Sequence, residues 1–123
     1  MANNFKGTDS AEPRGTESLR QLRALKDEEL VRQLTSGYHD ALTVLFERHS
    51  ALVFHIALCI LRNDAEAEET VHQVFLNAYR SIDQFDPQKC VFKKWLLKSA
   101  YKSAYRRAMK RREELLSQVA IYF

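Results

Sequence analysis

The chain is 123 residues long, carries a net charge of +3 and has 46% apolar residues, with only three glycines, two prolines and two cysteines. That length suits one domain with tails and a modest core, the shortage of turn residues disfavours a sandwich or barrel, and two cysteines make no disulfide framework. The N-terminal "MANNFKGTDSAEPRGTES" lacks the apolar centre of a signal peptide, and the longest apolar run, residues 51–61, is broken by His55 and too short to span a bilayer. The expectation is an all-α protein of the reducing cytoplasm, a compact bundle of about four helices with a disordered N-terminal tail and no membrane insertion.

Residues 1–16 are polar, hold Gly7, Pro13 and Gly15, and are expected to form that tail. The helical domain is expected over 17–117, with 118–123 as a C-terminal tail or truncated linker. Leu19, Leu22 and Leu25 suit a short helical segment. Asp27 is placed to cap a helix over "EELVRQLTS", with Leu30, Val31 and Leu34 as its buried stripe and Gly37 as its stop. A longer helix should begin near His39 or Asp40, since Leu42, Leu45, Phe46, His49, Val53, Ile56 and Ile60 recur at helical spacing. Its second half, "ALVFHIALCIL", is apolar on more than one side, which predicts the central helix of the bundle. "RND" ends it. Asp64 is placed to cap the next helix, with Glu66, Glu68 and Glu69 as solvated acids near its positive end. Ala67, Val71, Val74, Phe75, Ala78 and Ile82 should face inward. "DQFDPQKC" reads as a loop punctuated by Asp86-Pro87. The last helix should run from about Val91 to Leu116, with Phe92, Leu96, Ala100 and Ala104 as an apolar side of mostly small residues.

No catalytic set emerges: there is no glycine-rich phosphate loop and no supported serine–histidine–acid arrangement, so neither an enzyme nor a cofactor is expected. His55 and Cys59 lie four apart on one helix face, as two metal ligands do. A metal site needs three or four ligands, so the pair is expected to be a buried histidine beside a core cysteine, with no metal.

The charge is distributed unevenly. Residues 91–112 hold nine of the nineteen cations and no acid, which leaves the rest of the chain six charges on the acidic side. Such a block suits a polyanionic partner, nucleic acid before anionic membrane. Lys94, Lys98, Lys102, Arg106 and Lys110 recur every four residues as one slowly drifting stripe. Like charges at that spacing repel in an isolated helix, whereas a phosphate backbone alongside reverses the sign. Trp95 stands near the start of the stripe, and Tyr101 and Tyr105 lie one residue from it, as suits unstacked bases of a single strand. Packing accounts equally for these aromatics on residue grounds alone. On charge alone, a general phosphate-binding helical protein remains an alternative.

In order along the chain, "DEELVRQLTSGYHDALTVLFERHSALVFHIALCILRN", "DAEAEETVHQVFLNAYRSIDQFDP" and "FKKWLLKSAYKSAYRRAMKRR" resemble region 2 of the sigma-70 superfamily, in particular extracytoplasmic-function (ECF) sigma factors. The resemblance covers about residues 27–112. It implies a transcription initiation module with two working faces. Glu68, Glu69, His72, Gln73 and Leu76 match the surface that docks on the clamp coiled coil of the RNA polymerase β′ subunit. Trp95, Lys98, Tyr101, Lys102, Tyr105 and Arg106 match the face that opens promoter DNA at the −10 element and follows the non-template single strand, and Lys94 and Lys110 of the stripe are expected to bind DNA with them. Gln88, Lys89, Cys90 and Val91 match the base-reading loop. An anti-sigma factor is a further implied partner, and a sigma mimic that sequesters one is the alternative function. Against the family pattern, His72 replaces a glutamine, Gln73 an acid, Lys102 an asparagine and Arg106 an aspartate. With the sequence ending at Phe123, region 4 is expected to be absent.

Overall fold

The computed structural model describes residues 16–121, and all regular structure among them is helical. In chain order the elements are α1 (Thr16–Arg23), α2 (Asp27–Thr35), α3 (Asp40–Leu61), α4 (Asp64–Arg80), a 3₁₀ turn (Ile82–Gln84) and α5 (Phe92–Ile121). Apart from Thr16, the expected N-terminal tail lies outside the described residues. The chain divides into two compact units, with the boundary between Leu45 and Phe46 inside α3.

In the first unit, Leu30, Val31 and Leu34 of α2 are buried, as are Ala41, Val44 and Leu45 at the start of α3. Asp27 does not cap α2. The N-cap is Lys26, in extended conformation without a side-chain cap bond, and Asp27, Glu28 and Glu29 occupy the first turn, where carboxylates favour the positive helix end. The far end of α2 closes as a Schellman motif. The Gly37 N–H donates to the Leu34 carbonyl and the Tyr38 N–H to the Gln33 carbonyl, each at 3.0 Å. Gly37 takes φ +100°, a conformation that a Cβ opposes.

The second unit packs the rest of α3 with α4 and α5. Val53, Ala57 and Leu61 of α3 are buried, and α4 buries Ala67, Thr70, Val71, Val74, Phe75 and Ala78. The Thr70 hydroxyl donates to the Glu66 carbonyl at 2.8 Å, so its burial leaves no open donor. The buried residues of α5 are Phe92, Leu96, Ala100 and Ala104, the small-residue side expected from the sequence. Ala57, Leu61, Ala67 and Ala104 form one cluster, flanked by Phe54, Leu58, Ile60 and Ala108. At the other end, Phe85, Phe92 and Trp95 pack with ring centroids 5.2–5.9 Å apart, and His49 lies 5.8 Å from Phe92.

Three further expectations need correction. Asn63, not Asp64, caps α4: its side chain accepts the Glu66 N–H at 2.9 Å, and Asp64 is the first helical residue. Ile82 is buried as expected, on the 3₁₀ turn that follows the end of α4 at Arg80. The last helix continues past Leu116 to Ile121, because "EELLSQVAI" contains neither glycine nor proline to stop it. Finally, α3 is not enclosed as a central helix. Leu52, His55 and Cys59 are exposed, while Ile56 and Ile60 are only half-buried. By length and composition α3 also passes as a bilayer span, a test that core helices of soluble proteins pass equally.

Candidate nucleic-acid and partner interfaces

Because Phe92, Leu96, Ala100 and Ala104 fix one side of α5 to the body, the opposite side must face outward. Lys94, Lys98, Tyr101, Lys102, Tyr105, Arg106 and Lys110 are all exposed. Trp95 is half-buried, held between the solvent and the rings of Phe85 and Phe92. At about 100° per residue the cationic stripe drifts around the helix, with one flank toward α4. There Lys98, Lys102, Arg106 and Trp95 line a groove of 290 Å³ together with Asn77, Ser81, Gln84, Ser99 and Ser103. Tyr101 and Tyr105 stand on the other flank of the stripe, 57% and 52% exposed. Their rings stack at 6.1 Å with planes 15° apart. A stacked, exposed tyrosine pair beside a row of cations offers π-faces to bases and positive charge to phosphates on one surface.

The neutral groove-lining residues were not singled out in the sequence. Asn77, Ser81, Ser99 and Ser103 become neighbours only when α4 and α5 pack, so spacing along one helix gives no sign of them.

Two of the nine cations have other work. Arg107 donates to the Glu69 carboxylate at 3.1 Å, and Arg111 pairs with Glu66 while donating to the Leu61 carbonyl at 2.9 Å. Glu66 and Glu69 are therefore joined to α5 rather than simply solvated. These bridges span a wider groove of 650 Å³, where Glu66, Gln73 and Asn77 of α4 face Arg106, Arg107, Lys110 and Arg111 of α5.

The five residues expected to meet a protein partner split between two sides of α4. Glu68, His72 and Leu76 are exposed and recur every four residues on one row. Glu68 and His72 line a groove of 440 Å³ with Phe46, Ser50, Ala51, Phe54 and Val71. In that groove Phe46 is partly exposed and meets the buried Phe75 edge-on, at 4.9 Å between ring centroids. Glu69 and Gln73 turn instead toward α5: Glu69 is engaged by Arg107, and Gln73 donates to Asn77 at 3.1 Å. Phe46 was expected only as helix periodicity and Phe54 only as part of the apolar run over 51–61, neither as part of a surface.

The loop before α5 is ordered by Asp86. Its carboxylate accepts the Gln88 N–H at 2.9 Å and its carbonyl accepts the Lys89 N–H at 3.0 Å. Gln88, Lys89 and Val91 project into solvent and Cys90 is half-buried.

The family model for sigma-70 region 2 matches residues 45–114. The chain is similar to the ECF RNA polymerase sigma factor SigK of Mycobacterium sp. strain KMS, 33% identical over 89 residues, covering 72% of this chain and 45% of that protein. It is also similar to SigK of Mycobacterium ulcerans strain Agy99, 29% identical over 75 residues, covering 61% of this chain and 40% of the relative. The chain thus spans less than half the length of these relatives. No solved structure matches.

Proposed function

Because the chain belongs to the sigma-70 region 2 family, with a role in transcription initiation rather than catalysis, we propose that it binds core RNA polymerase in the cytoplasm and opens promoter DNA at the −10 element. The observation that carries this reading is the outward face of α5, where the Lys94–Lys98–Lys102–Arg106–Lys110 stripe runs beside the stacked Tyr101 and Tyr105. Taking a base out of a duplex costs a few kcal/mol, and each base stacked on an aromatic ring returns about 1–3 kcal/mol. Five phosphate contacts by the stripe give a salt slope of up to about −3.5 on single-stranded DNA. Trp95, braced by Phe85 and Phe92, and the Gln88–Val91 loop stand at the end of this track, where the base-reading pocket belongs on this reading.

The polymerase contact is assigned to the row of Glu68, His72 and Leu76 with the adjoining groove at Phe46 and Phe54. Its partner is the β′ clamp coiled coil. Glu69 and Gln73 then act at the edge of that contact, since both have intramolecular partners.

The test combines co-purification of the chain with core polymerase and photocrosslinking from Tyr101 or Tyr105 to the non-template strand of a −10 promoter fragment. Co-purification with a crosslink that weakens as salt rises supports the proposal. Absence of both at low salt overturns it. Binding to an anti-sigma factor with no polymerase binding selects the sigma-mimic function instead.

A further inference from the structure

The two grooves between α4 and α5 are continuous, because Asn77, Ser103 and Arg106 line both. A strand lying along Lys98, Lys102 and Arg106 is therefore led on to Arg107, Lys110 and Arg111 in the wider groove. From Lys98 to Arg111 the helix rises about 20 Å.

The cations at the far end differ in how they are held. Arg111 is anchored twice, to Glu66 and to the Leu61 carbonyl, and so serves the fold. Among the described residues, Arg107 is held by the Glu69 carboxylate alone, at 3.1 Å. The Glu69 side chain is 69% exposed and that of Arg107 31%. A carboxylate so far in water makes a weak, exchangeable bridge, and a phosphate offers the same guanidinium an equivalent pair of acceptor oxygens. Arg106 and Lys110 flank Arg107 in the groove, so a phosphate there meets three cations. With Glu69 in place, that phosphate must displace the carboxylate and also lie beside its charge.

We propose that the wide groove holds a further phosphate site for single-stranded nucleic acid, centred on Arg107, and that Glu69 masks it. The proposal rests on the reading of α5 as a strand-binding face and adds to it a competitor built into the chain. The occupant is a nucleic-acid backbone rather than a free anion, because the groove continues the cationic stripe.

The test measures binding of a labelled oligothymidylate by fluorescence anisotropy over a salt series. It compares the parent chain, Glu69→Gln, Arg107→Gln and the double variant, each verified as folded by circular dichroism. Glu113→Gln is the control, since it removes the same charge from an exposed position on α5 that does not line the groove. Glu69→Gln is expected to bind about 2- to 5-fold tighter at low salt, the range of an exposed ion pair. Its slope of log affinity against log salt should steepen by about 0.7, one phosphate contact. Both gains should vanish in the double variant, and Glu113→Gln should keep the parent slope. A gain that survives Arg107→Gln is a general charge effect and overturns the proposal. Loss of the gain in millimolar inorganic phosphate at constant ionic strength assigns the groove to free anions and overturns it as well. If the parent binds the strand and Glu69→Gln binds no better, this proposal alone fails. If neither binds at low salt, the reading of α5 falls and takes the proposal with it.

Discussion

Arg111 reaches across from α5 to donate to the Leu61 carbonyl at 2.9 Å, closing the last turn of α3 with a side chain fifty residues away. The same guanidinium pairs with Glu66 in the first turn of α4. One cation thus answers the negative end of one helix and an acid at the positive end of the next. The groups are partly exposed, so solvent screens much of the ion pair and the bond to the carbonyl carries more of the effect. Arg111→Ala is expected to cost about 1–2 kcal/mol, more than Glu66→Gln, which should cost below about 1 kcal/mol. Thermal denaturation of the two variants measures the difference, and equal losses would assign the effect to the ion pair alone.

The cations of α5 divide by what they touch, and salt dependence should show it. Lys102 and Arg106 stand free of the Glu66 and Glu69 bridges and line the groove beside Trp95. Changing them together to Asn and Asp introduces the residue types that the family resemblance implies there and, on the proposed function, removes two phosphate contacts. The slope of log affinity against log salt on single-stranded DNA should become shallower by about 1.4. Arg107→Gln should change it much less, because Glu69 already occupies that guanidinium. Fluorescence anisotropy at a series of salt concentrations measures both.

Tyr101 and Tyr105 make a ring stack with little burial, so removing it should leave folding intact and weaken strand binding. Tyr101→Ala and Tyr105→Ala are each expected to lose about 1–3 kcal/mol of affinity for single-stranded DNA, with Phe at either position retaining most of it. Melting temperature should hardly move. If the affinities stay at the parent level, the tyrosines are not the base-stacking surface.

The packing faces of α2, α4 and α5 were legible in the sequence because each helix is two-sided. Leu30, Val31 and Leu34, then Ala67, Val71, Val74, Phe75 and Ala78, then Phe92, Leu96, Ala100 and Ala104 are all buried where periodicity put them. The failure at α3 has a physical cause. Its second half is apolar on more than one side, so the spacing of Val53, Ile56 and Ile60 does not settle which side packs. The protein buries Val53, Ala57 and Leu61 and leaves Leu52, His55 and Cys59 outside. The cap of α4 was misplaced by one residue because adjacent polar residues compete for the position, as Asn63 does with Asp64. The Arg107–Glu69 and Arg111–Glu66 bridges join residues 38 and 45 apart in sequence, beyond any local pattern. Of the candidate interfaces, the α5 stripe was legible, whereas the grooves beside it depend on tertiary packing.

Gly37 gives a test of the first unit. Nothing lies within 4 Å of where its Cβ would stand, so a substitution there meets no steric obstacle and isolates the backbone term. At φ +100° a Cβ strains the chain, and Gly37→Ala should destabilise by about 1–2 kcal/mol. Chemical denaturation followed by circular dichroism measures it, and a neutral result would mean that the α2–α3 turn relaxes to another conformation.

Ala104 gives the corresponding test of the second unit. It is fully buried and shares a cluster with Ala57, Leu61 and Ala67, so all three long helices approach through small side chains at this point. Ala104→Leu forces extra volume into that contact, at a cost of typically 1–3 kcal/mol. The energetic loss has a functional counterpart, because pushing α5 away from α4 widens the groove lined by Lys102, Ser103 and Arg106. Strand affinity should fall together with stability even though no DNA-facing residue has changed. A control at Ala120, exposed near the end of the same helix, separates the effects: Ala120→Leu adds the same bulk and should leave the melting temperature within a degree or two of the parent. If Ala104→Leu lowers stability but leaves affinity unchanged, the groove beside α5 is not part of the strand path, and the binding surface lies on the tyrosine flank alone.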